Sequence, residues 1–229
     1  MSNTRTLPMV ALTDEVILPD TTKTLEIVSR YSRRALRYAF KEGTQIFVGK
    51  FIKDKEKFES IKDAHKYGVL CNVVDFQDKV DKSLVRLSGV ERMVLLDAAM
   101  DDEDIIWADV EESNGQLFDA EFKESLYKGI IYKDIKALEK YNYPIRQAVW
   151  LAYEKMDNVY AIMNLVADSI KDLDRQEYLN ESDWELKAQK LSATLKVETY
   201  KRNVMRDIDR KLAFIFAKFF LNNFYLLSQ

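Results

Sequence analysis

The sequence predicts an α+β fold, with a strand-rich first half followed by an all-helical second half. Three observations carry this reading. Up to about residue 111, short apolar and β-branched runs are separated by turn residues, with one helical stretch among them. Beyond Asn114-Gly115 the apolar spacing changes from two to three or four. From Ser182 to Gln229 no proline or glycine interrupts a helical pattern.

The elements follow in order. Leu7–Leu12 and Glu15–Pro19 read as two short strands, with Pro8 and Pro19 at their ends or edges. Thr22–Val28 is a third extended run. Ser29–Gly43 reads as an amphipathic helix. Ser29 or Ser32 can cap it, Ala35, Leu36, Ala39 and Phe40 form its apolar stripe, and Gly43 ends it. Gln45–Ile52 is a strand, and Lys53–Lys66 a charged loop in which Phe58 and Ile61 allow one helical turn. Tyr67–Phe76 and Lys82–Leu87 are strands joined by a hairpin at Gln77–Asp81, and Val90–Leu96 continues the second. Asp104–Glu111 is the last strand.

Leu117–Tyr143 carries Phe118, Phe122, Leu126, Ile130, Ile131, Ile135 and Leu138 at helical spacing. Pro144 ends that helix and opens the next, Ile145–Met156. Asp157 caps a third, Val159–Ile170, and Asp172–Asn180 is a short helix or turn. The long helix starts with a capping-box pattern, Ser182 with Glu185. At ~1.5 Å per residue it reaches on the order of 70 Å, beyond any local core. Its apolar positions are at first Leu186, Leu191, Leu195, Val197, Val204 and Ile208 among dense charges. From Leu212 it is apolar nearly all round, which requires a cover. The chain therefore reads as one that another molecule or a continuation completes.

Composition narrows the function. The chain has 229 residues, a net charge of −3, and 47% hydrophobic and 32% charged residues. These values fit an ordinary globular protein without a general nucleic-acid footprint. A single cysteine, Cys71, allows no internal disulfide and favours a reducing compartment. It lies in an apolar run, so it reads as a buried hydrophobe rather than the partner of the only histidine, His65. Leu212–Leu227 is too short and too interrupted by Lys218, Asn222 and Asn223 for a membrane span. No GxxxxGK[ST], HExxH, CxxC or GxSxG stretch occurs, so no catalytic and no metal-ligating residues are assigned. The acidic runs Asp101–Asp104 and Glu111-Glu112 read as solvated turns. Arg30, Arg33, Arg34 and Arg37, interleaved with Tyr31 and Tyr38, offer a nucleic-acid patch or, more simply, an exposed helix face.

The order of features resembles a known family. Leu7-Pro-Met-Val-Ala-Leu-Thr-Asp-Glu-Val-Ile-Leu-Pro19 resembles the opening of the Lon protease amino-terminal domain, with Ala11 where that family usually has proline. Thr24–Val28, Arg34-Ala-Leu-Arg-Tyr-Ala-Phe40 and Gln45–Lys50 are similar to its next strand, helix and strand. Tyr67-Gly-Val-Leu-Cys-Asn-Val-Val74 resembles its following strand, and Leu84–Leu95 its glycine-arginine segment, with Gly89 and Arg92 at the matching positions. The family's Pro-Asp-Gly turn is replaced here by Lys79-Val-Asp-Lys82. Phe224-Tyr-Leu-Leu-Ser-Gln229 looks like a divergent form of the signature at the entry to the ATPase module, with Ser228 in place of glutamate.

The resemblance implies a partly closed, barrel-like β subdomain over residues 1–113, a helical subdomain over 114–181, and a long helix over 182–229 leading towards an ATPase module. It implies a parent protein that is an ATP-dependent serine endopeptidase of the AAA+ class in the cytoplasm. ATP and Mg would serve the ATPase module, with no cofactor in this chain. The partners implied are unfolded or tagged protein substrates and further copies in a hexamer, with neither membrane nor nucleic acid. The apolar tail residues Phe214, Phe216, Phe219, Phe220 and Phe224 then suit helix–helix assembly, the simpler role, or substrate holding. Two rival readings are a stand-alone Lon-domain adaptor without an ATPase, and a nucleic-acid-binding module on a similar β fold.

Overall fold

The computed structural model describes residues 4–52, 60–113, 115–141, 143, 145, 147–155 and 158–227, with side chains as far as Phe216. Among the described residues six strands and one α-helix come first, with a short 3-10 turn at Ile61–Asp63: β1 (Arg5–Leu12), β2 (Thr22–Ile27), α1 (Arg30–Glu42), β3 (Ile46–Lys50), β4 (Tyr67–Asp78), β5 (Ser83–Met100) and β6 (Ile106–Glu112). Five helices follow: α2 (Glu121–Glu139), α3 (Gln147–Lys155), α4 (Val159–Ser169), α5 (Arg175–Asn180) and α6 (Trp184–Leu227). This is the α+β class expected, ending in a long helix.

The sheet order is β2-β5-β4-β3-β1-β6, and β5 also pairs with β6. That extra pairing curls the sheet into a partial ring. The length of β5 makes it possible: its first part pairs with β2 and β4, its last part with β6. β1 also divides its partners. Residues 5–8 run antiparallel to β6 and residues 9–12 parallel to β3. Pro8 stands at the changeover, inside the strand rather than at its end. There the missing N–H costs little, because the ladder is passing from one partner to the other.

Strand alternation divides the side chains between two clusters. Met9, Phe47, Leu70, Met93, Leu95 and Ala108 gather on one face of the ring strands. Val10, Leu12, Val48, Val69, Cys71 and Leu87 belong to a larger cluster on the other, shared with Leu36 of α1 and with Ile135, Val166 and Leu191 of the helical half. One core thus runs from sheet to helices. In α1 the stripe of Ala35, Leu36 and Ala39 is buried, whereas Phe40 is half-exposed beside Phe76, at 5.6 Å between ring centroids. Gly43, at φ 65°, ends the helix as expected.

Several expectations are corrected. Val16-Ile17-Leu18 is buried but forms no strand. Its carbonyls are taken by a turn and a side chain: Thr21 donates to Leu18 O from both N (3.3 Å) and Oγ1 (2.7 Å), and Lys23 Nζ donates to Val16 O at 3.0 Å. α2 starts at Glu121 rather than Leu117, because Phe118 is stacked between Tyr127 and Tyr160 at 5.5 and 5.6 Å. Only the far half of its stripe is buried, at Ile131, Ile135 and Leu138, while Phe122 and Leu126 are exposed. α4 is capped by Asn158, whose side chain accepts from Tyr160 N and Ala161 N. α6 is capped by Asp183, whose Oδ1 accepts from Glu185 N at 2.8 Å and Leu186 N at 3.2 Å. Glu185 therefore forms no capping box with Ser182. It reaches Lys123 Nζ at 2.8 Å and Tyr127 OH at 3.0 Å. Phe58, Asn114, Pro144, Met156, Asp157, Ser228 and Gln229 lie outside the described residues.

Candidate functional site

Where the ring meets the helices, a cavity of about 470 Å³ opens. The β6–α2 connection and α5 contribute Ser113, Gly115, Leu117 and Leu179 to its walls, and four further segments supply the rest. The β1–β2 connection brings Asp20, β5 brings Val90, Glu91 and Arg92, α4 brings Asn158, Tyr160 and Asn164, and the start of α6 brings Trp184 and Lys187. The approach of the first two rests on Gly89. A Cβ there would lie 2.3 Å from Leu18 O, and the close contact is sealed by Asp20 N donating to Gly89 O at 3.0 Å and Gly89 N to Thr21 O at 2.9 Å. Asp20 itself holds φ 62°. Its carboxylate accepts from Asn164 Nδ2 at 3.2 Å, which ties the turn to α4.

The cavity's electrostatics are set by two buried cations. Arg92 donates from Nη1 to Ser113 Oγ at 3.0 Å and from Nη2 to Asn180 O at 2.9 Å, with its guanidinium 3.9 Å from the Tyr67 ring centroid. Its Nε is buried without an acceptor. Lys187 is 3% exposed. Its Nζ lies 4.2 Å from the Trp184 ring and 5.0 Å from the Tyr178 ring. Among the described residues neither this ammonium nor the Trp184 indole N–H has a hydrogen-bond acceptor. Burial, aided by Arg92 and opposed by Glu181, brings the Lys187 pKa down to about 7. Burial also lowers Arg92 and raises Asp20 and Tyr160, Asp20 against the Asn164 hydrogen bond.

The residues singled out in the sequence fall elsewhere. Phe214 and Phe216 are 71% and 60% exposed on the outer part of α6. The side chains of Phe219, Phe220 and Phe224 lie outside those described, although the helix backbone continues to Leu227. α6 is held by the protein over its first third, where Ala188, Leu191 and Leu195 are buried. Leu186, Val197, Val204 and Ile208, also among the apolar positions read in the first part of the helix, are exposed.

The α1 arginines are engaged within the molecule. Arg33 and Arg37 meet Asp78 at 2.9 and 2.5 Å, and Arg30 and Arg34 meet Asp104 at 2.7 and 3.1 Å. Arg37 and Ser83, more than the opposing burial, hold Asp78 well below the usual carboxylate range. Cys71 is fully buried, and burial pushes its thiol up, out of reach of thiolate chemistry. Among the described residues no cluster of three His, Cys, Asp or Glu could hold a metal ion, and no helix is long and apolar enough to cross a membrane.

Of the cavity's residues, sequence reasoning marked Arg92 alone, and only through the resemblance. The available signal was Lys187: it shares the stripe of Trp184, Leu191 and Leu195, where a lysine interrupts an otherwise apolar face.

The fold belongs to the class of α+β domains that join a partial β-ring to a helical half ending in a long helix. Within that class the family is defined. The family model described as the ATP-dependent protease La (LON) substrate-binding domain matches residues 6–197, and the chain belongs to this family. Among solved structures, the N-terminal domain of the Mycobacterium avium complex Lon protease is similar, with a TM-score of 0.62 at 14% identity over 84% of this chain and 98% of that one. A Lon N-terminal domain protein from Xanthomonas campestris gives 0.52 at 19% identity over 82% and 98%. At these identities the likeness is one of fold. No curated protein matches the chain.

Proposed function

We propose that this chain is the amino-terminal substrate-recognition and assembly region of a Lon-like ATP-dependent protease that degrades misfolded or tagged proteins. The carrying observation is the family match over residues 6–197. In this reading residues 1–113 form the β subdomain, 114–181 the helical subdomain, and 182–229 the helix that leads to an ATPase module. That module uses ATP and Mg and supplies the catalytic groups, and the parent works as a cytoplasmic hexamer. The buried lone cysteine suits a reducing compartment. Internal pairing of the α1 arginines supports protein rather than nucleic acid as the partner.

Phe214, Phe216, Phe219, Phe220 and Phe224 act in assembly through helix–helix packing. Exposure of Phe214, Ile215 and Phe216 beyond the packed third of α6 supports this. Two measurements test the reading. Immobilised chain should retain unfolded casein and not a folded control protein, and equal retention would remove the recognition role. In sedimentation, the full chain should self-associate while a version ending at Arg210 stays monomeric. Two monomers would remove the assembly role.

A further inference from the structure

Lys187 has no evident structural reason to be a lysine. Its neighbours along the α6 stripe are apolar, the residue is 3% exposed, its ammonium lies against two aromatic rings at the cavity, and no acceptor meets it among the described residues. Removing an ammonium from water without a partner costs several kcal/mol. Arg92 repels it, and Glu181 offsets this in part. Two like charges on one cavity wall, with a donor unused on Arg92 Nε and another on Trp184 Nε1, are unfavourable in the empty cavity and favourable around an anion.

The remaining lining narrows the anion. Asp20 and Glu91 also line the cavity. Their charge opposes a dianion such as phosphate but tolerates a monovalent carboxylate, and their oxygens can accept N–H groups lying next to it. Val90, Leu117, Tyr160, Leu179 and Trp184 add an apolar surface. A volume of about 470 Å³ falls within the usual range for ligand pockets and accommodates a residue or two of chain. One ligand combines a single carboxylate, adjacent main-chain N–H groups and an apolar side chain.

We propose that this cavity is a carboxylate pocket that takes the C-terminal end of a polypeptide with an apolar last residue, Lys187 and Arg92 holding the carboxylate and Asp20 accepting a main-chain N–H. This names a ligand class for the recognition role proposed above and rests on that role. It is separate from the phenylalanine-bearing outer part of α6.

The test uses the full chain and a fluorescein-labelled decapeptide ending in leucine, prepared as free acid and as C-terminal amide, read by anisotropy. The free acid should bind at least about tenfold more tightly than the amide, the worth of one charged hydrogen bond. In Lys187→Met that preference should disappear. The variant replaces the ammonium at the cavity with an apolar chain of similar length and is expected to fold. Arg92→Lys supplies a second variant, expected to retain part of the preference. Equal binding of acid and amide, or a preference unchanged in Lys187→Met, would overturn the pocket. Displacement of the peptide by millimolar inorganic phosphate but not by acetate would also overturn it, in favour of a phosphate site. Casein retention, measured alongside, separates the two failures: casein held without an acid preference sinks the pocket alone, and casein not held sinks the recognition role.

Discussion

Lys187 shows at the scale of one residue how burial becomes a pH dependence. Its pKa is about 7 in the folded chain, lowered first by burial and then by Arg92, against about 10.4 for a free lysine. Between these values the unfolded chain binds the extra proton, so stability should rise with pH across that window and be flat below it. Two charged groups act on it in opposite directions, Arg92 of β5 and Glu181 before α6; the Tyr178 ring of α5 lies 5.0 Å away, and Asp20, Glu91 and Tyr160 line the same cavity. Urea unfolding at pH 7 and pH 9.5 should therefore show a gain in the wild type of a few kcal/mol that Lys187→Met lacks. Equal gains in both would mean that the ammonium is not buried as described. The upper limit matters because burial raises Tyr178, and above about pH 10 ionisation of the unfolded tyrosine works against the fold. Little of this was legible in the sequence. Cys71 was, because an apolar run fixes its burial, and its inertness follows. Lys187 and Asn164 were not. Each derives its role from residues more than twenty positions away, Asn164 from Asp20 and Lys187 from Arg92, and local spacing carries no record of such partners.

Elements were more legible than their ends. Among the described residues, alternation and β-branching located the six strands, with one too many at Glu15–Pro19, and helical spacing located the helices except α5, read as a short helix or turn, because those patterns express burial of one face. Ends depend on single hydrogen bonds. The capping box at Ser182 and Glu185 is a sound local pattern, yet Asp183 supplies the cap and Glu185 is drawn away to Lys123 and Tyr127. Asp183→Ala should thus cost about 1 kcal/mol, and Ser182→Ala only a few tenths. Chemical denaturation of the two variants would reverse this assignment if Ser182→Ala proved the costlier. β5 carries a second element-scale prediction. Gly89→Ala places a methyl 2.3 Å from a backbone oxygen that cannot swing aside. The turn carrying Asp20 must move, at a cost of about 1–3 kcal/mol or more. The variant should also widen the cavity entrance, so its peptide affinity should fall more than its stability alone explains. A Gly89→Ala protein as stable as the wild type would show that this turn adapts freely.

At the scale of the whole molecule, the change of period near residue 114 invites a division into independent parts, and the packing opposes it. Asp168 of α4, 1% exposed in its side chain, meets Lys23 of β2 at 3.1 Å and Arg175 at 3.5 Å. Lys23 also reaches Glu15 at 2.9 Å. Gln176 of α5 donates to Tyr67 O at 3.1 Å, and Arg92 of β5 to Asn180 O at 2.9 Å. These bonds surround a core that both halves share. Sequence pattern cannot reveal such a seam, since each half shows its own period and the contacts join residues 88 or more positions apart. Asp168→Asn removes the buried charge shared by Lys23 and Arg175, which keep Glu15 and backbone carbonyls as partners, so it should cost about 1–3 kcal/mol. Asp172→Asn, which breaks an exposed pair with Lys201 at 2.9 Å, should move the urea midpoint far less. The same seam predicts cooperativity. A chain keeping only Trp107, on β6, and one keeping only Trp150, on α3, report the two halves separately. Their urea transitions should coincide, because neither half can expose its side of the shared core without exposing the other. In an Asp168→Asn background both should move together to lower urea. If the Trp150 transition instead came first and alone, the helices would be a separate folding unit, and the cavity would lie on a mobile seam rather than within a rigid wall.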